Sequence, residues 1–331
     1  MDVSNSGGSA PATAPAIPAI RRIALIGFGE AGGILGAELA HAGLEVAAYD
    51  ILLDAAATRE SMLHRMRAAG VHACASAREA IAGAALVISA VTASAAVAAA
   101  GGAAAVLEPG QLFLDINSVS PETKRLCARS VIQAGAEFIE AAVMAPVPPQ
   151  RLAVPMLLGG AHAAAAAGAL RALGLNATAI SDRIGVASAV KMCRSIVIKG
   201  LEALTLESLF AARRFAAEEE VLASLERTFP QMGWQDALPD YLVSRIAEHG
   251  RRRAAEMREV ARTLEQVGID PVMARATAVR EDALIEAMSA GGLTYAGETE
   301  FSWRTLADAL ARRAAATEAD ARGRERAAEP V

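Results

Sequence analysis

Short apolar runs alternate with longer stretches of helical spacing through the first half of the chain. Runs at Arg22 to Ile26, Glu45 to Tyr49, Val71 to Ala73, Ala85 to Val91, Leu112 to Ile116 and Glu137 to Ile139 have strand length, and Pro155 to Leu158 and Ala177 to Ile180 continue the series. Strands that alternate with helices form crossover units, so this half predicts an α/β, doubly wound, mainly parallel sheet. Ala161 to Leu170 reads as helix by propensity despite Gly168. After Gly185 the pattern changes. Val186, Val190, Cys193, Val197, Leu201 and Leu204 recur at three- and four-residue spacing, one stripe on a long helix. Pro230, Pro239 and the Gly268 to Pro271 turn divide the remainder into further helices. The expected organisation is an α/β domain over 20–184 and an all-α domain over 185–314. Residues 1–19, rich in Ser, Gly, Ala and Pro, and 315–331, mixing Ala with Arg and Glu, are expected to be a disordered and a flexible tail.

Composition supports two domains and narrows the partners. A length of 331 residues exceeds a typical single core. Hydrophobic residues make up 53% of the chain and aromatics 4%, so much of the apolar content is alanine, which favours α/β or α over all-β. A net charge of -5 offers no overall attraction to nucleic acid or anionic lipid, leaving a small-molecule substrate as the expected partner. Cys74, Cys127 and Cys193 are widely spaced without a metal-ligand pattern, which fits reduced thiols in a cytoplasmic protein and no metal. The start of the chain lacks the charged and apolar regions of a signal peptide. The Ala-rich stretch from Ile81 to Leu107 is broken by Gly, Ser and Thr, so neither export nor a membrane span is expected.

The most specific motif is Gly27-Phe28-Gly29-Glu30-Ala31-Gly32, directly after the Arg22 to Ile26 run and before the helical run Ile34 to Ala42. In such a turn the first glycine permits the tight bend, the second lets backbone approach a pyrophosphate and the third lets the helix pack on the sheet. N–H groups at the helix start then meet the phosphate charge. The bare pattern also occurs in ordinary loops, but its setting between strand and helix marks a Rossmann dinucleotide site. Asp50 ends the second strand 18 residues after Gly32, where a carboxylate accepts hydrogen bonds from ribose hydroxyls and repels a 2'-phosphate, favouring NAD. The same acid could merely cap the next helix, and Arg59 or Arg65 could reach a phosphate, so NADP stays open. Val91, Thr92 and Asn117, at the carboxyl ends of later strands, are expected beside the nicotinamide.

Two further segments complete a pattern: Asp115-Ile116-Asn117-Ser118-Val119-Ser120-Pro121, and Gly185 followed by Lys191-Met192-Cys193-Arg194-Ser195. With the glycine motif, they make the chain resemble the β-hydroxyacid dehydrogenases over roughly Ile20 to Leu209, the group that includes 3-hydroxyisobutyrate and 6-phosphogluconate dehydrogenases. The resemblance implies that Asn117 and Ser118, standing where the family has a Ser-Thr pair, orient the substrate, and that Lys191 is the general acid and base. A lysine whose charge is disfavoured can remove a hydroxyl proton near neutral pH. Arg194 and Ser195 follow Lys191 by three and four residues on one helical face, with Lys199 continuing near it. Arg194 could bind a carboxylate or phosphate and lower the Lys191 pKa. A lone lysine here would otherwise read as a solvated basic patch. The chain departs from the family where Met144-Ala145-Pro146 replaces Ser-Gly-Gly, since Pro146 has no N–H to give an anion.

The helical half resembles a C-terminal domain of unassigned function found with phosphogluconate-dehydrogenase-type nucleotide domains, through His249 to Met257 and Val260 to Pro271. Arg245, His249, Arg253 and Glu256 form one polar helical stripe, either a salt-bridged surface or, at His249 and Arg253, part of a substrate site. Trp234, Tyr241, Tyr295 and Trp303 read as packing anchors, and Glu218-Glu219-Glu220 as a solvated helix start. The expected activity is NAD(P)-dependent interconversion of a small, anionic hydroxy acid and its oxo acid, in a homodimer. An imine reductase on the same fold and a non-catalytic NAD(P)-binding redox sensor are the alternatives.

Overall fold

A computed structural model of the chain describes residues 19–295, 297, 301–313 and 315. Apart from Ala19 and Ala315, the two expected tails lie outside the described residues. The chain forms two compact units that meet in sequence between Lys191 and Met192.

The first unit carries an eight-stranded sheet. Its strands are β1 (Arg22–Ile26), β2 (Glu45–Tyr49), β3 (His72–Ala73), β4 (Leu86–Ser89), β5 (Leu112–Asp115), β6 (Glu137–Val143), β7 (Met156–Gly159) and β8 (Ala177–Ser181). Between them run α1 (Glu30–His41), α2 (Ala56–Ala68), α3 (Ala77–Ile81), α4 (Ala96–Ala104), α5 (Pro121–Gln133), α6 (Val147–Gln150) and α7 (Ala163–Ala172). The spatial order is β3-β2-β1-β4-β5-β6-β7-β8, all parallel except the β6–β7 pair. Residues alternate along the central strands between two separate cores. Ile23, Leu25 and Ile88 face one, and Ala24, Ile26, Val87 and Phe113 the other. Both faces are covered over the central strands, while β8 at the edge exposes Thr178 and Ile180. Order reverses between β1 and β4, the crevice where doubly wound sheets bind ligands.

Strand β6 runs on to Val143, four residues past the apolar stretch expected to end at Ile139. The acid that interrupts the run, Glu140, lies wholly buried inside the strand.

The long helix α8 (Val186–Arg214) begins in the first unit and continues into the second, which adds α9 (Glu218–Thr228), α10 (Leu238–Glu265) and α11 (Val272–Ala290). Its main core gathers Leu206, Leu209, Val243, Ile246, Leu284 and Trp303. Trp234 and Trp303 are buried, as expected of anchors, whereas Tyr241 is 57% exposed and anchors nothing. Glu218 is likewise not solvated: it is buried and ion-paired with Arg213.

On α8 the apolar stripe predicted from spacing is not the face that is buried. Val190, Val197 and Leu204, seven residues apart, are 41%, 69% and 58% exposed. The buried positions include Ser188, Met192, Ser195, Lys199, Glu202, Leu206 and Leu209, of which Ser188, Ser195, Lys199 and Glu202 are polar. These polar groups persist inside because they are paired. Lys199 bonds Glu256 at 2.8 Å, and Arg253 of α10 pairs with Glu202 and lies 3.8 Å from Glu281 of α11.

Glu281 is fully buried, and neither carboxylate oxygen has a hydrogen-bond partner among the described residues. Burial pushes its pKa up to about 8, against the opposing pull of Arg253 and Lys199 and with repulsion from Glu202 and Glu256. The folded protein therefore holds this proton more tightly than the unfolded chain. The stability it contributes is fully present below the ordinary value of 4.5 and is lost as pH rises through about 8. Glu281→Gln keeps the shape without the titration. It is expected to raise Tm by several degrees at about pH 9 and to leave it nearly unchanged at about pH 5. A melting series across pH in which the two proteins run parallel would contradict this.

Candidate active site

The glycine turn is built as the motif requires. Gly27 has φ +94°, and a Cβ there would collide with the Ala90 carbonyl, while a Cβ on Gly32 would strike the Gly27 carbonyl oxygen. Around the Gly29 position, by contrast, a Cβ would meet nothing within 4 Å. Gly29 is also the N-cap of α1 and offers no side chain to the helix's first N–H groups. This leaves an open, donor-rich helix start, which suits the pyrophosphate of a dinucleotide. Phe28, Gly29, Glu30, Gly33 and Arg65 line a cleft of about 430 Å³ beside it.

Asp50 serves the turn directly. One carboxylate oxygen accepts from Phe28 N at 2.6 Å and the other from Leu52 N at 2.9 Å, so the acid both caps the chain after β2 and ties down the glycine loop. Arg65, considered above for a phosphate, donates instead to the carbonyl oxygens of Phe28 and Gly29 at 3.0 and 3.3 Å. Arg59 is similarly engaged by the Leu53 carbonyl at 2.6 Å. Residues 36 and 37 positions apart meet in the Arg65 contacts, which no local pattern could reveal.

At the ends of β4 and β5, Asn117 uses its whole side chain as a brace. Its Oδ1 accepts from Val91 N at 2.7 Å and its Nδ2 donates to Ser89 Oγ at 2.9 Å. The brace fixes the Val91–Thr92 turn, where Thr92 is exposed. Ser118, next along, is half-buried. Behind them lies a buried ion pair, Lys124 to Asp115 at 3.0 Å, in which Lys124 also donates to the Asp115 carbonyl at 2.7 Å. Met144, Ala145 and Pro146 follow the end of β6, and Pro146 leads into α6.

Lys191 is half-buried, just over one turn into α8. Its expected companions diverge in exposure. Arg194 is exposed, and Ser195 is buried and accepts from Lys199 Nζ at 3.3 Å. In the helical unit His249 lines a cleft of about 650 Å³ with Arg251, Arg252, Ile285 and Tyr295. Burial first, and then Arg252, pushes the His249 pKa below its ordinary value, which favours a neutral ring. Arg253 is buried among carboxylates, so the expected polar stripe is split between a cleft and an interior.

Cysteine spacing alone concealed one metal-capable group. Among the described residues His72, Cys74 and Glu79 have donor atoms within 4.8 Å of one another. Glu79 is already committed to Ala75 N at 2.7 Å in the cap of α3, and burial raises the Cys74 pKa, favouring the protonated thiol. No described helix is long and apolar enough to cross a membrane.

The switch-point crevice, open helix start and acid-anchored glycine loop define a Rossmann-type NAD(P)-binding domain. Residues 22–180 match the NAD binding domain of 6-phosphogluconate dehydrogenase, and 212–284 match a domain of unknown function (DUF1932). The chain belongs to the family of 6-phosphogluconate-dehydrogenase-like NAD-binding proteins that carry this helical domain. A conserved hypothetical protein from Sinorhizobium meliloti 1021 is 38% identical over 90% of this chain and 98% of its own, with a TM-score of 0.74. The conserved protein MTH1747, of unknown function and described as structurally similar to 3-hydroxyacid dehydrogenases, is 33% identical over 80% and 97%, with a TM-score of 0.66. An uncharacterized 28.5 kDa protein of Methanothermus fervidus is 27% identical over 169 residues; the match spans 50% of this chain and 63% of that protein. Two solved enzymes share the fold at low identity: a Mycobacterium tuberculosis 3-hydroxyisobutyrate dehydrogenase (17%, TM-score 0.68) and a Streptomyces aurantiacus imine reductase (20%, TM-score 0.51).

Proposed function

We propose that the chain is an NAD(P)-dependent oxidoreductase that interconverts a small hydroxy acid and its oxo acid, with Lys191 exchanging the hydroxyl proton. The observation that carries this reading is a half-buried lysine near the start of α8, in the same compact unit as the dinucleotide turn and the Asn117 brace. Bound dinucleotide would accept the hydride from the alcohol carbon, and Lys191 would take the hydroxyl proton, giving oxo acid, reduced dinucleotide and a proton. Gly27 to Gly32 and Asp50 would hold the dinucleotide, with Asp50 favouring NAD through the ribose hydroxyls. Asn117 would set the Val91–Thr92 turn beside the nicotinamide, leaving Ser118 to orient the substrate. The exposed Arg194 would take the substrate's acidic group. His249 would meet ligand only from its own cleft, and Arg253 would serve the interior of the helical unit.

The test is a panel of hydroxy acids, oxo acids and cyclic imines followed at the reduced-nicotinamide absorbance with each dinucleotide. Hydroxy-acid or oxo-acid turnover supports the reading. Cyclic-imine turnover alone would move the chain to the imine reductases, a reading that Lys191 opposes and that Pro146, in place of a backbone anion cradle, leaves open.

The helical unit would pair with a second copy. Val197 and Leu204 on α8, and Val267, Ile269, Val272 and Met273 around the α10–α11 turn, are each more than half exposed, apolar side chains that such a pairing would cover. Sedimentation at micromolar concentration should give twice the chain mass, and a monomer would end that reading.

A further inference from the structure

We propose that Glu140 is a positioning residue for Lys191: it clamps the first turn of α8 and supplies the fixed charge beside which the lysine exchanges its proton. The inference rests on the acid–base role of Lys191 proposed above.

Helices are commonly capped by a side chain just before their first turn. The residue before α8 is Gly185, which has none, and the cap comes instead from strand β6. Glu140 Oε1 accepts from Gly185 N at 2.7 Å and Ala187 N at 3.0 Å, while Oε2 accepts from Ser188 Oγ at 2.8 Å. These are all donors of the α8 start, and they are 45 to 48 residues away in sequence. The sheet makes room for the carboxylate. Its cross-strand partner on β7 is Gly159, where any Cβ would collide with Glu140 Oε1. Gly185 itself has φ +102°, a conformation that aims its N–H into the acid and suits glycine alone.

Lys191 stands five residues beyond Val186, about 7.5 Å along the axis at 1.5 Å per residue. Helical side chains lean toward the N-terminus, which inclines the Lys191 stem toward the capped end. That end carries about half a positive charge, which disfavours an ammonium; the buried carboxylate offsets it. Two of the neighbouring charges are themselves paired. Asp115, the register partner of Glu140 on β5, is neutralised by Lys124, and Arg125, beside Gly185, is paired with Glu122 at 3.2 Å. Removing the Glu140 charge takes away its offset to the helix pole.

Glu140→Gln retains the size and an acceptor for the two N–H groups, and the Ser188 hydroxyl can reverse. The whole chain contains three lysines, so reductive ¹³C-methylation yields at most three lysine signals, and Lys191→Arg identifies one of them. In Glu140→Gln we expect the Lys191 signal to titrate roughly one pH unit lower, with the lysine-dependent limb of the kcat profile moving the same way. Glu140→Asp keeps the charge but withdraws it by one methylene. We expect its Lys191 titration to stay near wild type while kcat falls about tenfold and the dinucleotide KM holds, as expected for lost positioning. An unshifted Lys191 titration in folded Glu140→Gln overturns the proposal; so does undiminished kcat in Glu140→Asp, which decides the matter if the glutamine variant does not fold. Turnover that survives Lys191→Ala would instead remove the acid–base role, while the titration still reads the coupling of Glu140 to Lys191.

Discussion

Lys191→Ala is expected to lower turnover of the responsive hydroxy acid by about a hundredfold or more while reduced-dinucleotide binding stays within about threefold of wild type. General acid–base catalysis by one positioned group typically contributes that much, and the dinucleotide contacts proposed above are made by the glycine turn and Asp50 rather than by α8. The sharper variant is Lys191→Arg. The chain holds 32 Lys and Arg together, of which three are lysines and therefore 29 arginines. Two of those lysines, Lys124 and Lys199, are buried in ion pairs. A guanidinium keeps positive charge at position 191 but does not release its proton at physiological pH. If Lys191 merely attracts an anionic substrate, arginine should restore much of the rate. Should it move protons, arginine should be nearly as inactive as alanine. Stopped-flow single turnovers separate the chemical step from product release, and a Lys191→Arg chemical step near the wild-type rate would sink the acid–base role.

Gly27→Ala should have the second largest effect, on both folding and ligand binding. Alanine at φ +94° is strained, and its methyl would meet the Ala90 carbonyl carbon at 2.8 Å and Val91 Cγ1 at 2.9 Å. The chain after β4 would have to move, and with it Val91 N, which Asn117 Oδ1 holds. Strain plus displacement of a buried segment amounts to about 2–4 kcal/mol, a Tm loss of roughly 5–10 °C. Dinucleotide binding should fall below detection in a fluorescence titration. Gly29→Ala is the contrasting control: nothing lies within 4 Å of its added methyl, so it should melt like wild type yet bind dinucleotide more weakly. Gly27→Ala melting and binding like wild type would show that the turn tolerates what its geometry forbids.

Local periodicity made the sheet legible. Every predicted run overlaps an observed strand, and in the central ones burial on both faces makes successive positions apolar. The glycine turn was legible for a related reason, since Gly27 and Gly32 answer local steric demands of the backbone. Glu140 was not: a charge inside an apolar run reads as the end of a strand, and only the three-dimensional fold brings the start of α8 to it. Arg65 was missed as a loop clamp for the same want of sequence proximity. Periodicity misled on α8, where Val190, Val197 and Leu204 are the outward positions and Lys199 and Glu202 the inward ones. A hydrophobic pattern finds the apolar face of a helix without saying which neighbour covers it. Arg253 and His249, one turn apart, look equivalent in sequence, but Glu202 and Glu281 reach the first and make it interior.

The double attachment of Asp50 has a bearing on how cofactor choice could drift in this lineage. Admitting a 2'-phosphate usually means losing the acid at the end of β2, yet here the same carboxylate holds Phe28 N and Leu52 N. Its loss would slacken the glycine loop before any new affinity was gained. A mutational path from one dinucleotide to the other would therefore begin by recruiting a cation along Ile51 to Asp54, with the acid surrendered last, and such an order of events leaves intermediates that use both.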